Sequence, residues 1–204
     1  MKSSVAFNTA RVTRSDIATL HQSGEPGHFV HFYEDDGFAL DSIGRLASRR
    51  IAAGDAGIFV ATASHLDIIQ LNLEISGLDL NMLRAQGRYV TCDADATLAR
   101  FMEDGRPNRD KFLDVVGGIV GQAIERSPNG SALIFGEMVA LLCAADNSEA
   151  AITVERLWNV LSGRLTFALW CAYPLSTFKD ESNAGAWDAI CLEHSLVVPA
   201  ETPL

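Results

Sequence analysis

The sequence lacks an apolar run long enough to cross a membrane. Its longest uninterrupted apolar stretch covers only residues 138–145, whereas a membrane-spanning helix needs about 20 such residues. The N-terminal stretch MKSSVAFNTARVTRSD also has no apolar segment of the kind that secretory signals carry. We therefore expect a cytoplasmic protein that does not contact a membrane.

Positive charge is scarce. The 204 residues contain 16 Lys and Arg against 26 Asp and Glu, which gives a formal net charge of −10. No basic stripe interrupts this excess, and a field of this sign repels a phosphate backbone. The composition therefore argues against direct binding to nucleic acid.

The sequence has no cysteine or histidine spacing that is typical of a metal site. The four cysteines form no C-x-x-C pair and lie singly in apolar stretches, where a thiol usually behaves as a small core residue. His28 and His31 fall on one predicted strand and point to opposite faces, so they cannot chelate one ion together. His194 falls on an apolar helix face, as a core histidine does. We expect neither a metal nor another cofactor.

Motifs of the common enzyme classes are also missing. No GxxxxGK(S/T), GxGxxG or GxSxG string occurs in the chain. Where a nucleotide-binding protein would have its phosphate loop, the turn after the first predicted strand reads EDDG, and its carboxylates would repel a triphosphate. Glu137 follows a strand-like ALIFG segment, but Gly136 stands where an NTPase would have a second acidic residue. A lone carboxylate makes a poor metal-phosphate site, so we expect a non-enzymatic protein.

Short apolar segments alternate with amphipathic, helix-like segments along most of the chain. Segments that are apolar throughout are typical of parallel strands covered on both faces. The pattern predicts a three-layer α/β sandwich of about five mainly parallel strands flanked by helices. The predicted strands cover residues 28–33, 58–63, 88–92, 132–135 and 167–173. Ser64 is the predicted N-cap of the helix after the second strand.

The chain divides into a tail and one domain. Residues 1–26 lack strong periodicity and are predicted to form a loosely attached N-terminal tail, with a short helix around residues 15–22. Residues 27–204 are predicted to form a single domain. We found no internal repeat and no low-complexity segment.

The carboxyl ends of the predicted strands carry several acidic and tyrosine side chains. Parallel connections bring these ends to one edge of the sheet, which is where such folds bind ligands. Tyrosines supply flat contact area with a hydroxyl group, and carboxylates supply hydrogen-bond acceptors. We therefore expect a ligand-binding site at this edge, formed by Tyr33, Glu34, Asp35, Asp93, Glu137 and Tyr173.

Several strings resemble the MEDS family, the sensory domain named for methanogens, methylotrophs and the dichloromethane-dehalogenase regulator. They are HFVHFYEDD, CDADATLARFMEDGRPN, FGEMVALLCAADN with ERLWNVL, and WCAYP, and the likeness extends over residues 24–198. The resemblance implies a RecA/KaiC-like fold with a degenerate phosphate loop. It also implies a bacterial signal-transduction or transcription-regulation role, in which a small hydrocarbon derivative is sensed. Family members are usually fused to histidine kinases, receiver domains or DNA-binding domains, so a chain without an output domain is expected to act on such a partner in trans.

The sequence thus predicts a cytoplasmic, non-enzymatic sensory module that binds a small, mostly apolar ligand and signals through a partner protein. Two alternatives stay open. One is a diverged RecA/KaiC-like NTPase or cation-dependent enzyme that uses Glu137, and the other is a pure protein–protein interaction module with a vestigial pocket. The sequence also leaves a homo-oligomer open.

The acidic turn leads to a prediction about nucleotides. Because the turn after the first strand has three carboxylates and no lysine, ATP or GTP with Mg²⁺ should bind with a dissociation constant weaker than about 10 µM. Isothermal titration calorimetry measures this directly. Tighter binding would favour the NTPase alternative.

Overall fold

The computed structural model describes residues 25–178 and 181–198. Nearly all of the predicted N-terminal tail, including its helix near residues 15–22, lies outside the described residues. Within the described ranges, no helix combines the length and apolar character needed to cross a bilayer.

Six parallel strands form the central sheet, in the order β3-β2-β6-β7-β1-β8. The chain contributes a further two-stranded antiparallel hairpin, β4–β5. The strands are β1 (Gly27–Tyr33), β2 (Ala56–Ala61), β3 (Tyr89–Asp93), β4 (Met102–Glu103), β5 (Arg106–Pro107), β6 (Ala132–Gly136), β7 (Phe167–Pro174) and β8 (Leu196–Val198).

Helices connect the strands and cover both faces of the sheet. They are α1 (Asp36–Ala52), α2 (Ala63–Ile75), α3 (Leu80–Ala85), α4 (Ala94–Ala99), α5 (Arg109–Glu125), α6 (Met138–Ala144), α7 (Ser148–Ser162) and α8 (Glu181–Glu193), with a 3-10 turn at Leu175–Phe178. Five of these helices begin at a polar side chain that accepts a hydrogen bond from a backbone N–H of the first turn. These caps are Asp35, Asp79, Asp93, Asn108 and Asn147.

The hydrophobic core lies in two layers, one on each face of the sheet. Phe29 and Tyr33 of β1 pack with buried residues of α1, α2 and α3. Val30 and Phe32 of the same strand pack with helices α4 to α8 on the opposite face. This alternation follows from the two-residue side-chain period of a strand, and it confirms the predicted sandwich of helices, sheet and helices.

All five predicted strands are present, and the sheet gains β8 as a short sixth strand beside β1. The sequence pattern did not reveal β8 or the β4–β5 hairpin. These three strands are only two or three residues long, which is too short to show a periodic pattern in the sequence.

His31 illustrates what burial on both faces does to a polar residue. Its side chain is 2 % exposed, and its Nε2 atom has no hydrogen-bond partner in the described part of the chain. Burial alone lowers the pKa of His31 from 6.5 to about 4, because the charged imidazolium loses its hydration. His31 is therefore neutral in the folded protein near pH 7.

This shift predicts a loss of stability in acid. The unfolded chain takes up a proton on His31 below about pH 6.5 whereas the folded protein resists it until about pH 4, so stability falls between these values, by about 3 kcal/mol in total. His31→Leu should remove this part of the acid loss. Denaturant unfolding of both proteins between pH 7 and pH 4 tests it, and parallel pH curves would contradict the assignment.

Candidate functional site

Glu137 is a buried carboxylate at the carboxyl edge of the sheet. It comes directly after β6 and is 4 % exposed. Its backbone N–H donates to the carbonyl oxygen of Val60 at 3.0 Å, which continues the β2–β6 ladder by one residue. This bond sets the Glu137 side chain beside the turn that joins β2 to α2.

Both carboxylate oxygens of Glu137 are held by that turn. The backbone N–H of Thr62 donates to Oε2 at 3.1 Å, and Nδ1 of His65 donates to Oε1 at 2.6 Å. Ser64 does not cap α2 as predicted, because the helix starts two residues earlier, at Ala63, and Thr62 takes the cap position with extended backbone. Thr62 can therefore donate its backbone N–H to Glu137.

His65 lies in the first turn of α2, with a side chain that is 18 % exposed. The hydrogen bond to Glu137 raises the pKa of His65, and the negative charges of Glu137 and Asp36 add to this effect, whereas partial burial opposes it. His65 and Glu137 therefore form an imidazole–carboxylate pair that water can reach.

Tyr33 joins this pair from the end of β1. Its side chain is buried, at 4 % exposure. Burial raises the pKa of the Tyr33 hydroxyl well above its usual range, and the charges of Glu137 and Asp36 and a hydrogen bond with Asp36 raise it further. We refer to Tyr33, Asp36, His65 and Glu137 as the strand-end cluster.

The six residues predicted from the sequence do not all meet. Tyr33 and Glu137 are brought together, and Glu34 is exposed in the turn after β1. Asp35 and Asp93 accept hydrogen bonds from the N–H groups of Phe38 at 2.7 Å and Ala96 at 2.8 Å, so they act as helix caps. Asp93 ends β3, two strand positions from β6 and so about 10 Å away in the plane of the sheet.

Tyr173 lies on the other face of the sheet. It is fully buried, and its hydroxyl donates to Oε1 of Glu155 at 2.7 Å. In the β1–β7 register it stands opposite Phe32 rather than opposite Tyr33, which is why it does not reach the strand-end cluster. Its ring instead packs in an aromatic group with Phe32, Phe178 and Trp187. The rings of Phe32 and Trp187 are stacked, with their centroids 3.7 Å apart.

Sequence reasoning missed His65 and treated Asp36 only as part of an acidic turn. The only local signal for His65 is its place in the first turn of the helix after β2, just beyond the strand end. A strand-end rule that stops at the last strand residue overlooks it.

A second polar group is buried between β1, β7 and the helices α7 and α8. We refer to His28, Glu155, Cys171 and His194 as the buried histidine cluster. Glu155 is 0 % exposed, and burial alone would raise its pKa, but His194, His28 and the Tyr173 hydroxyl lower that pKa to about 2. One ligand atom from each of the four residues lies within 4.8 Å of the others. The sequence analysis missed this group because it compared His28 only with His31.

Comparison with known proteins agrees with the fold. Residues 27–189 match the model of the MEDS family, described as methanogen/methylotroph, DcmR sensory domain. No curated protein sequence matches the chain. The fold is similar to that of the flagellar accessory protein FlaH from Methanocaldococcus jannaschii, with a TM-score of 0.54, 14 % identity, and coverage of 92 % of this chain and 77 % of FlaH.

FlaH is too distant in sequence for the likeness to show more than the fold, which is RecA/KaiC-like. The family match covers most of the chain and indicates a sensory role. The protein therefore belongs to the MEDS family of sensory domains.

Proposed function

We propose that this protein is a cytoplasmic, non-enzymatic sensor that binds a small, mostly apolar molecule at the carboxyl edge of its sheet and signals through a protein partner. The observation that carries the proposal is the pairing of the buried Glu137 carboxylate with His65 and the Thr62 N–H. Membership of the MEDS family supports the sensory part.

The strand-end cluster suits the polar end of a small molecule. Tyr33, His65 and Glu137 supply a hydroxyl, an imidazole and a carboxylate that can bind a polar group. Tyr173 is buried on the other face of the sheet, and we propose that it supports the end of β1 through its contact with Phe32. Glu34, Asp35 and Asp93 are proposed as acceptors at the rim.

Helix α2 is proposed to carry the signal. Its first turn holds Glu137 through Thr62 and His65, and its inner face is anchored by the buried Ile69. Its outer face exposes Leu71 and Ile75, the latter at 75 %. A ligand that takes the place of His65 at Glu137 would release the first turn of α2, and this would alter an exposed apolar surface that a protein partner can read.

The surroundings of Glu137 argue against nucleotide chemistry there. Gly136 stands where an NTPase would have a second acidic residue, and the turn after β1 is acidic where a phosphate loop would bind nucleotide. The sensory proposal therefore fits the site better than the NTPase alternative.

Glu137→Gln tests the proposal, because it keeps the shape and removes the charge that holds His65. A panel of short alcohols, amines, thioethers and haloalkanes, screened by ligand-observed NMR, should yield binders to the wild type. We expect Glu137→Gln to weaken their binding at least tenfold and to lower the free energy of unfolding by about 1–2 kcal/mol, the size of a disrupted buried hydrogen bond.

Glu125→Gln is the matched control, since Glu125 is exposed on α5. It should bind the panel as the wild type does. If Glu137→Gln is destabilised but binds the same compounds with unchanged affinity, Glu137 is only a structural acceptor and the site assignment is wrong. No binder in the panel and an unaltered partner interaction would favour the interaction-module alternative.

A further inference from the structure

We propose that His28, Glu155, Cys171 and His194 bind a divalent transition-metal ion, with Zn²⁺ as the best match. The four side chains come from four separate elements: β1, α7, β7 and the segment after α8. The site lies on the opposite face of the sheet from the strand-end cluster, so it is independent of the proposed sensory function.

Three donor atoms are spaced like the edges of a small coordination polyhedron, and the fourth lies near them. Nε2 of His28 lies 3.1 Å from Oε2 of Glu155 and 3.3 Å from Sγ of Cys171, and that Sγ lies 3.3 Å from the same Oε2. Nε2 of His194 lies 3.5 Å from Oε1 of Glu155. Ligands around a tetrahedral Zn²⁺ are separated by about 3.3–3.6 Å, given metal–ligand bonds of about 2.0–2.3 Å.

Outer hydrogen bonds orient both imidazoles toward the cluster. Nδ1 of His28 contacts Oδ1 of Asn159 at 2.9 Å, and the Asn159 amide donates to the backbone oxygen of Glu193 at 2.9 Å. These two bonds fix the amide so that its oxygen accepts from His28. Nδ1 of His194 donates to the backbone oxygen of Ile190 at 2.7 Å.

With both Nδ1 atoms acting as donors, the Nε2 atom of each imidazole faces Glu155. Nε2 of His194 is buried and has no hydrogen-bond partner among residues 25–178 and 181–198. Nε2 of His28 and Oε2 of Glu155 approach to 3.1 Å, which requires a proton or a metal ion between them. Metal-binding histidines typically show this arrangement, in which the outer nitrogen donates to a carbonyl or carboxylate group.

Charge balance favours a divalent ion. Glu155 is 0 % exposed, and its ion-pair partners among residues 25–178 and 181–198 are the two histidines. The Tyr173 hydroxyl and the Cys171 thiol also donate to this carboxylate, but a buried carboxylate is stabilised most when a full positive charge lies beside it. A Zn²⁺ ion with one carboxylate and one thiolate is electrically neutral, and a set of two nitrogens, one oxygen and one sulfur suits zinc among the common metals.

A cavity provides a route for the ion. A recess of about 470 Å³ is lined by His28 and His194 together with Asn159, Phe167 and Ser195. Glu155 and Cys171 do not line this recess, so an ion that entered from it would have to pass the two imidazoles. Four protein ligands leave no open coordination position, so the site would tie β1, β7, α7 and α8 together rather than perform catalysis.

Cobalt titration of the chelator-treated full chain tests the proposal. We expect one Co²⁺ per chain, bound with a dissociation constant below about 1 µM. Its spectrum should contain a thiolate-to-cobalt charge-transfer band, and Zn²⁺ should displace it. Cys171→Ser should lose the band and bind Co²⁺ at least tenfold more weakly, whereas Cys92→Ser, which removes a distant thiol on β3, should match the wild type.

Asn159→Ala provides a second variant that keeps all four ligands. It should retain the charge-transfer band but weaken Co²⁺ binding about tenfold, because the orientation of His28 is lost. Circular dichroism checks that each variant is folded. The absence of Co²⁺ binding to the wild type, binding without a thiolate band, or equal affinity in Cys171→Ser would each overturn the proposal.

Discussion

Two buried glutamates, one on each face of the sheet, require hydrogen-bond donors or positive charge from the residues around them. Glu137 and Glu155 are 4 % and 0 % exposed. Within residues 25–178 and 181–198, neither makes an ion pair with lysine or arginine, and both are held by histidine. A carboxylate taken out of water costs several kcal/mol unless its oxygens are hydrogen-bonded or a cation is near. The imidazole partners therefore stabilise both buried carboxylates.

The positions of the two glutamates relative to the parallel sheet explain why their surroundings differ in access to solvent. Glu137 follows a strand and meets the first turn of α2 at the rim, where the His65 side chain is still 18 % exposed. Glu155 projects from α7 into the layer between helices and sheet, where the Tyr173 hydroxyl and two imidazoles surround it. Solvent reaches the first pair and not the second carboxylate. The first arrangement suits a reversible response to a ligand, and the second suits a fixed bond network or a tightly held ion.

The central strands and their layers could be predicted because they are apolar without interruption, as strands covered on both faces must be. The position of Glu137 followed from the rule that strand ends share an edge. Tyr173 could not be assigned correctly from that rule, because the register that pairs it with Phe32 decides its face. The buried histidine cluster gave no spacing signal, since His28, Glu155, Cys171 and His194 meet only through tertiary packing.

Glu137 holds His65 and thereby joins the carboxyl edge of the sheet to α2. The most direct measurement is an NMR titration of the imidazole of His65, assigned among the five histidines by comparison with His65→Gln. The pKa of His65 should lie above about 6.5 in the wild type and should return to about that value, or fall below it, in Glu137→Gln. A wild-type His65 that titrates at or below about 6.5, or one whose pKa is the same in Glu137→Gln, would contradict it.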